Sequence, residues 1–252
     1  MTRRFPDPVT KVGNDLTHLA GSYLHSVTAG DWSVCETCAL PVDDHRWCVQ
    51  CLTHRRSGVP LADRAGFLVY ADEPSSQTYL TLRGYKEPRT RPAFEPIVRA
   101  LLAIGLRAHF TCANMLAGTT DSGWAVVPST KNRTTLTDLV RGLARTPQSE
   151  VRARPVGSGP GRALKPEAWG VEPGGRLPSH VVVIDDAWVS GASSQSLAAL
   201  LKQSGVGQVS ILAVGRVLSP QWDPNKAFLA KVLPTIPYDW TICPWTRAAC
   251  PA

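Results

Sequence analysis

Apolar and polar positions follow two rhythms along this chain. Over 94–110, "FEPIVRALLAIGLRAHF", apolar residues recur every three or four positions, which predicts an amphipathic helix. Leu16, Leu19, Ala20, Tyr23 and Leu24 keep the same spacing and predict a helix over 14–27, after a loose tail at 1–13. A third helix is predicted over 134–144, where threonines stand ready to cap it and Asp138 falls in an early turn. Short unbroken apolar runs predict strands at 65–71, 124–129 (stopped by Pro128), 181–185 and 208–217. A helix at 194–204, closed by Gly205, separates the last two. Residues 181–184 and 211–214 are apolar at every position, so both faces of those strands are buried. The expected fold class is therefore α/β, a parallel sheet with helices on both faces.

The remaining stretches lack rhythm. Residues 77–91 are basic and rich in turn formers. Residues 147–179 are rich in Gly and Pro and too long for a simple connection, so they form either a functional lid or a disordered link, with a short strand at 169–171. The end, 219–252, holds tryptophans and prolines without periodicity. The chain divides into a tail and helix (1–30), a cysteine-rich segment (31–60), the α/β domain (61–218) and a C-terminal extension (219–252).

Composition narrows the class. The chain has 252 residues, 43% of them hydrophobic and 19% charged, which suits one α/β domain with a small appendage. No apolar run approaches the roughly 18 residues that span a membrane, and "MTRRFPDPVT" has no apolar signal region, so no membrane partner and a cytoplasmic location are expected. The net charge of +7 attracts anions, a diphosphate or a nucleic acid alike; it equally fits a plain basic protein.

Cys35-x2-Cys38 and Cys48-x2-Cys51 form two facing pairs. Each such turn presents two thiolates to one tetrahedral zinc. Four thiolates complete the shell, so this zinc is structural and His45 and His54 are spare. Cys112, Cys243 and Cys250 are read as buried small apolar residues.

The richest motif is "VVVIDDAWVSGASS", residues 181–194. In open α/β sheets, ligands collect beyond the carboxyl ends of strands. Asp185 and Asp186 stand at such an end, and a small-residue turn then opens a helix whose free amides favour a phosphate. Like charges repel, so the acids suit another part of the ligand, a sugar diol or a magnesium ion. A phosphorylated ribose has both parts. A nucleotide-binding G-x-x-x-x-G-K-[ST] loop is missing from the chain, and "GSGPGR" does not fit G-x-G-x-x-G. Routine serine capping of a helix is the plainer alternative.

This stretch resembles the phosphoribosyl-pyrophosphate signature of type I phosphoribosyltransferases. The resemblance implies that Asp185 and Asp186 hold the ribose hydroxyls and that Ser190, Gly191, Ala192, Ser193 and Ser194 cradle the 5′-phosphate. Val189 stands where the signature has a hydroxyl residue, and Trp188 is large for its place. With the four-cysteine segment ahead of it, the chain resembles the ComF family of competence-associated, amidophosphoribosyltransferase-like proteins. "YLTLRGYKEP" and "AVVPSTKNRTTLTDLVRGLA" are similar to that family's basic segment and to its strand, loop and helix. The resemblance implies that Ser129, Thr130, Lys131 and Arg133 meet the pyrophosphate together with magnesium, with Arg83 and Lys86 reaching it from the preceding loop. Each cation taken singly is equally a solvated surface charge. The implied reaction is displacement at ribose C1, with residues 157–175 closing as a lid. The competing readings are a nucleic-acid-binding accessory protein that uses Trp32 and Trp47 to stack single strands, and a sensor that binds the sugar diphosphate without turnover.

Overall fold

A computed structural model describes residues 5–30, 32–144, 149–157, 159–172 and 175–252. The chain opens with α1 (Asp7–Ala20), β1 (His25–Ser26) and α2 (Val49–Arg56). Next come β2 (Arg64–Asp72), α3 (Gln77–Gly84), α4 (Arg91–Ala103) and α5 (Phe110–Ala117). A widened π turn, Ile104–Ala108, joins the last two. Then follow β3 (Ser122–Val126), α6 (Thr135–Leu143), β4 (Ser149–Glu150), β5 (Ala153–Pro155) and β6 (Trp169–Val171). The series closes with β7 (His180–Trp188), α7 (Ala192–Gln203), β8 (Gln208–Leu218) and α8 (Asp223–Ala227).

Six strands form one sheet in the order β1-β2-β8-β7-β3-β4, and every pairing is parallel except that of β1 with β2. Strand side chains alternate between two cores. Val182, Ile184, Leu212 and Val214 enter the core shared with α1, α4, α5 and α6. Val181, Val183, Ile211 and Ala213 enter the core shared with α7 and the four cysteines. Because both faces are covered, the run of β-branched residues in β7 is apolar throughout. The expected α/β class and mostly parallel sheet are present.

Several boundaries differ from expectation. The first helix begins at Asp7, so most of the supposed tail is helical. Its buried Val9, Gly13, Leu16 and Ala20 are three or four residues apart, and the Pro6–Asp7 start suits a helix N-terminus. Residues 77–84 are helical, not turn-rich, because the Ser76 hydroxyl accepts the Tyr79 amide at 3.2 Å and caps α3. Thr134 precedes α6 without a side-chain cap. The helical stretch Arg91–Ala117 runs 27 residues and is apolar enough to cross a membrane by length and composition, beyond the longest run expected. It lies across the sheet as a core helix, and 67% of its most apolar window is buried. The C-terminal extension is also packed: Phe228, Leu233, Ile236, Tyr238, Cys243 and Trp245 are buried.

The connections place a crevice. After β3 the chain turns outward through α6 to β4, and after β7 it turns the other way through α7 to β8. The buried side chains of α6 and α7 enter opposite cores, so the two helices diverge on opposite faces of the sheet. The space beyond the carboxyl ends of β3 and β7 is a topological switch point, where open α/β sheets bind ligands.

Candidate functional site

A cavity of about 560 Å³ occupies that crevice. Every expected ligand-contacting residue lines it: Asp185 and Asp186, the turn Ser190–Ser194, the loop residues Ser129, Thr130, Lys131 and Arg133, and Arg83 and Lys86.

β7 carries the two aspartates to the cavity and continues to Trp188, three residues further than expected. The Trp188 side chain does not enter the cavity. It is 1% exposed and packs edge-on against Phe67 with ring centroids 5.4 Å apart. The turn passes directly over this indole at Gly191, which has φ +77°. A Cβ there would lie 2.1 Å from Trp188 Cζ2. Gly191 is thus required twice, for its left-handed backbone and for its lack of a side chain. It is also the residue from which α7 starts, so the amides of the first turn are presented at the cavity.

The aspartates are held differently. Asp186 is buried, accepts the Tyr85 hydroxyl at 2.7 Å and forms an ion pair with Lys86. Asp185 accepts the Asp186 amide at 2.9 Å and the Ser194 hydroxyl at 2.5 Å. Burial, then the neighbouring Asp186 charge, pushes the Asp185 carboxyl up to about 7. Burial and the same acids also raise Tyr85, which therefore remains a phenol that donates to Asp186. Tyr85 was not among the expected site residues, although it stands inside the quoted basic segment.

The expected cations are brought together, and most already have partners. Lys86 meets Asp186, Arg133 meets Glu87 at 2.8 Å, and Arg83 donates to the Tyr79 hydroxyl at 3.1 Å. The exposed Lys131 has no ion-pair partner among the described residues. Its loop is shaped by the Ser129 hydroxyl, which accepts the Lys131 amide at 3.2 Å, and by Asn132 at φ +54°.

The Gly/Pro-rich segment is ordered where it is described; Ser158, Pro173 and Gly174 of the expected lid lie outside the described residues. β5 and β6 form an antiparallel hairpin. Gly161, Arg162 and Trp169 line the cavity beside it. The Trp169 indole N–H donates to the Ser193 carbonyl at 3.1 Å, and the Lys165 amide donates to the Ser196 hydroxyl at 2.8 Å. Both bonds fasten the segment to the start of α7.

Protein-family models and curated proteins were compared with the chain, and neither gives a match.

Cys35, Cys38, Cys48 and Cys51 converge as expected, all buried, with sulfurs within 4.8 Å of one another. The Cys38 and Cys48 sulfurs are 3.7 Å apart, too far for a disulfide and close to the edge of about 3.8 Å that a tetrahedron of 2.3 Å zinc–sulfur bonds requires. The set fits zinc. Four thiolates around a divalent ion leave a net charge of −2, and a buried cation stands beside them. Arg216 of β8, 2% exposed, donates to the Cys38 carbonyl at 2.6 Å and to the Cys38 sulfur at 3.5 Å. The same guanidinium donates to the Trp188 carbonyl at 3.1 Å and the Val189 carbonyl at 3.4 Å. One buried arginine therefore joins the cysteine site to the turn over the cavity. It lies in an apolar strand, and its signal was the single charge in "ILAVGRV".

One expectation is corrected. Cys112, Cys243 and Cys250 are not merely small buried residues: with His109 they form a second group of metal-ligating side chains within 4.8 Å of one another. Sequence separation hides it, since His109 and Cys250 are 141 residues apart. The short spacings His109-x2-Cys112 and Cys243-x6-Cys250 are its only local signal. Trp32 and Trp47 are half-buried. Trp32 packs on Phe228 at 5.8 Å, and the guanidinium groups of Arg46 and Arg55 each lie 4.6 Å from the Trp47 ring centre.

Proposed function

We propose that the chain binds phosphoribosyl pyrophosphate and acts as a phosphoribosyltransferase of the type I kind, on an amine or base acceptor. The observation that carries this reading is the continuity of β7 into the Gly191 turn. It sets two carboxylates and a helix N-terminus on one cavity, in the order in which ribose hydroxyls and 5′-phosphate follow each other on the substrate.

The residues divide the work. Amides of Gly191 to Ser194 and the Ser190 and Ser193 hydroxyls take the 5′-phosphate. Asp185 and Asp186 accept the ribose 2′ and 3′ hydroxyls, which fixes the sugar's orientation. Ser129, Thr130, Lys131 and Arg133 face the diphosphate, where negative charge grows as the C1–oxygen bond breaks. Magnesium enters as part of the substrate and neutralises the diphosphate, with Asp185 and Asp186 as the hard oxygen donors that the chain offers nearby. The hairpin segment from Gly161 to Trp169 keeps water from C1. The four-thiolate zinc holds the cysteine segment against β8 and the turn.

Calorimetry with phosphoribosyl pyrophosphate and magnesium tests the reading. Saturable one-site binding is expected, abolished in Asp185→Asn/Asp186→Asn and at least about tenfold weaker in Gly191→Ala. Pyrophosphate release upon addition of acceptor then separates a transferase from a sensor. No binding heat, together with single-stranded DNA binding that ignores both variants, overturns the reading in favour of a nucleic-acid-binding accessory protein.

A further inference from the structure

We propose that His109, Cys112, Cys243 and Cys250 bind a second zinc ion, which fastens the C-terminal segment to the junction of α4 and α5. His109 and Cys112 stand at the start of α5, directly after the π turn. Cys243 and Cys250 come from a tight loop closed by the antiparallel bridge between Cys243 and Ala248. His109, Cys112 and Cys243 are fully buried, and Cys250 is half-buried.

Three observations favour a metal over a chance gathering of thiols. First, the Cys250 sulfur lies 3.5 Å from His109 Nδ1, close to the edge of about 3.6 Å expected for a tetrahedron with zinc–sulfur and zinc–nitrogen bonds of 2.3 and 2.0–2.1 Å. Secondly, His109 Nε2 lies 3.2 Å from the Trp240 carbonyl, which can only accept. A proton therefore stays on Nε2, which leaves Nδ1, on the side of the sulfurs, as the nitrogen available to a metal. A ligating histidine is normally fixed by this kind of backbone bond on its other nitrogen. Thirdly, the surrounding shell is built. The Trp245 indole donates to the His109 carbonyl at 2.8 Å, and Phe5 packs edge-on against the His109 ring at 5.5 Å.

A disulfide is the competing use of these cysteines. It would join two sulfurs and leave a third thiol and the oriented imidazole buried beside it, which four-fold convergence does not require. Zinc uses all four groups. The ion displaces three thiol protons to solvent and takes the Nδ1 lone pair, giving a complex of net charge −1 with no redox change. Spanning α5 and the C-terminal loop, it closes a long chain loop in the native state only, so its binding free energy adds to folding.

Native mass spectrometry of the 252-residue chain, purified with zinc and without chelator, tests this directly. Two zinc ions per chain are expected, falling to one in Cys243→Ser/Cys250→Ser and likewise to one in Cys35→Ser/Cys38→Ser. Should either double variant fail to fold, the unaltered chain still decides. One zinc with a mass two hydrogens light marks a disulfide and overturns the proposal. One zinc with Cys112, Cys243 and Cys250 alkylated after unfolding under non-reducing conditions overturns it as well.

Discussion

Asp185 carries a cost that its position makes useful. Its carboxyl titrates at about 7 in the fold because of burial and the Asp186 charge, against about 3.9 in an unfolded chain. A raised carboxylate pKa stabilises the fold only while the group is protonated there. Its contribution is complete below about pH 4 and is lost as pH rises to about 7. Asp185→Asn removes the titration, so the variant is expected to gain stability over the parent progressively from pH 4 to 7, by up to about 4 kcal/mol, and to hold that margin at pH 8. Urea unfolding at several pH values measures this; a margin that shrinks with rising pH contradicts it. The aspartate pair and the glycine of the turn were legible in the sequence because strand, acids and helix start are contiguous. Tyr85 was not, since a hydroxyl that serves an acid 101 residues away leaves no local pattern.

Among elements, β2, β3, β7, β8 and the helix following β7 were readable from apolar runs, as all lie between buried faces, whereas the two-residue β1 and β4 at the sheet edges were not. The helix at 77–84 escaped because its signal is a single serine cap beside several basic residues. The short strand expected at 169–171 is β6, but its antiparallel partner β5 escaped, because it is only three residues long and pairs with β6 across an irregular segment that gains its order from bonds to α7. The least expected link is Arg216, which spans from β8 to both the cysteine segment and the β7 turn. Arg216→Met leaves the Trp188 and Cys38 carbonyls without their donor and the thiolates without their cation, at a cost of about 3–5 kcal/mol. The variant should also lose zinc faster to a chelator and bind phosphoribosyl pyrophosphate more weakly. Arg216→Lys should recover part of the zinc retention but little of the binding, because one ammonium cannot reach the same carbonyls at once. Chelator-competition rates and calorimetry separate the two effects, and unchanged binding in Arg216→Met would show that the turn stands without the arginine.

At the scale of the molecule, the sheet lies between two cores, and a cluster of four side chains of metal-binding type is embedded in each. The first cluster was legible from paired spacings. The second was not, because its halves come from either end of the chain's long middle and meet only once the C-terminal segment docks. Removing bound metal with a strong chelator is expected to lower the melting temperature by about 10 °C or more, reversed by added zinc. An unchanged melting curve in metal-depleted protein would mean that neither cluster contributes to folding. The pairing of Lys86 with Asp186 and of Arg133 with Glu87 bears on how this basic protein meets an anion. On the proposed function, an arriving sugar diphosphate would, Lys131 and Arg83 apart, trade partners more than gain fresh charge contacts, drawing Lys86 and Arg133 from carboxylates already beside them. Little net counterion release accompanies such a swap, so affinity should drop less than about tenfold between 50 and 200 mM salt, where a protein gripping many nucleic-acid phosphates loses about a thousandfold or more.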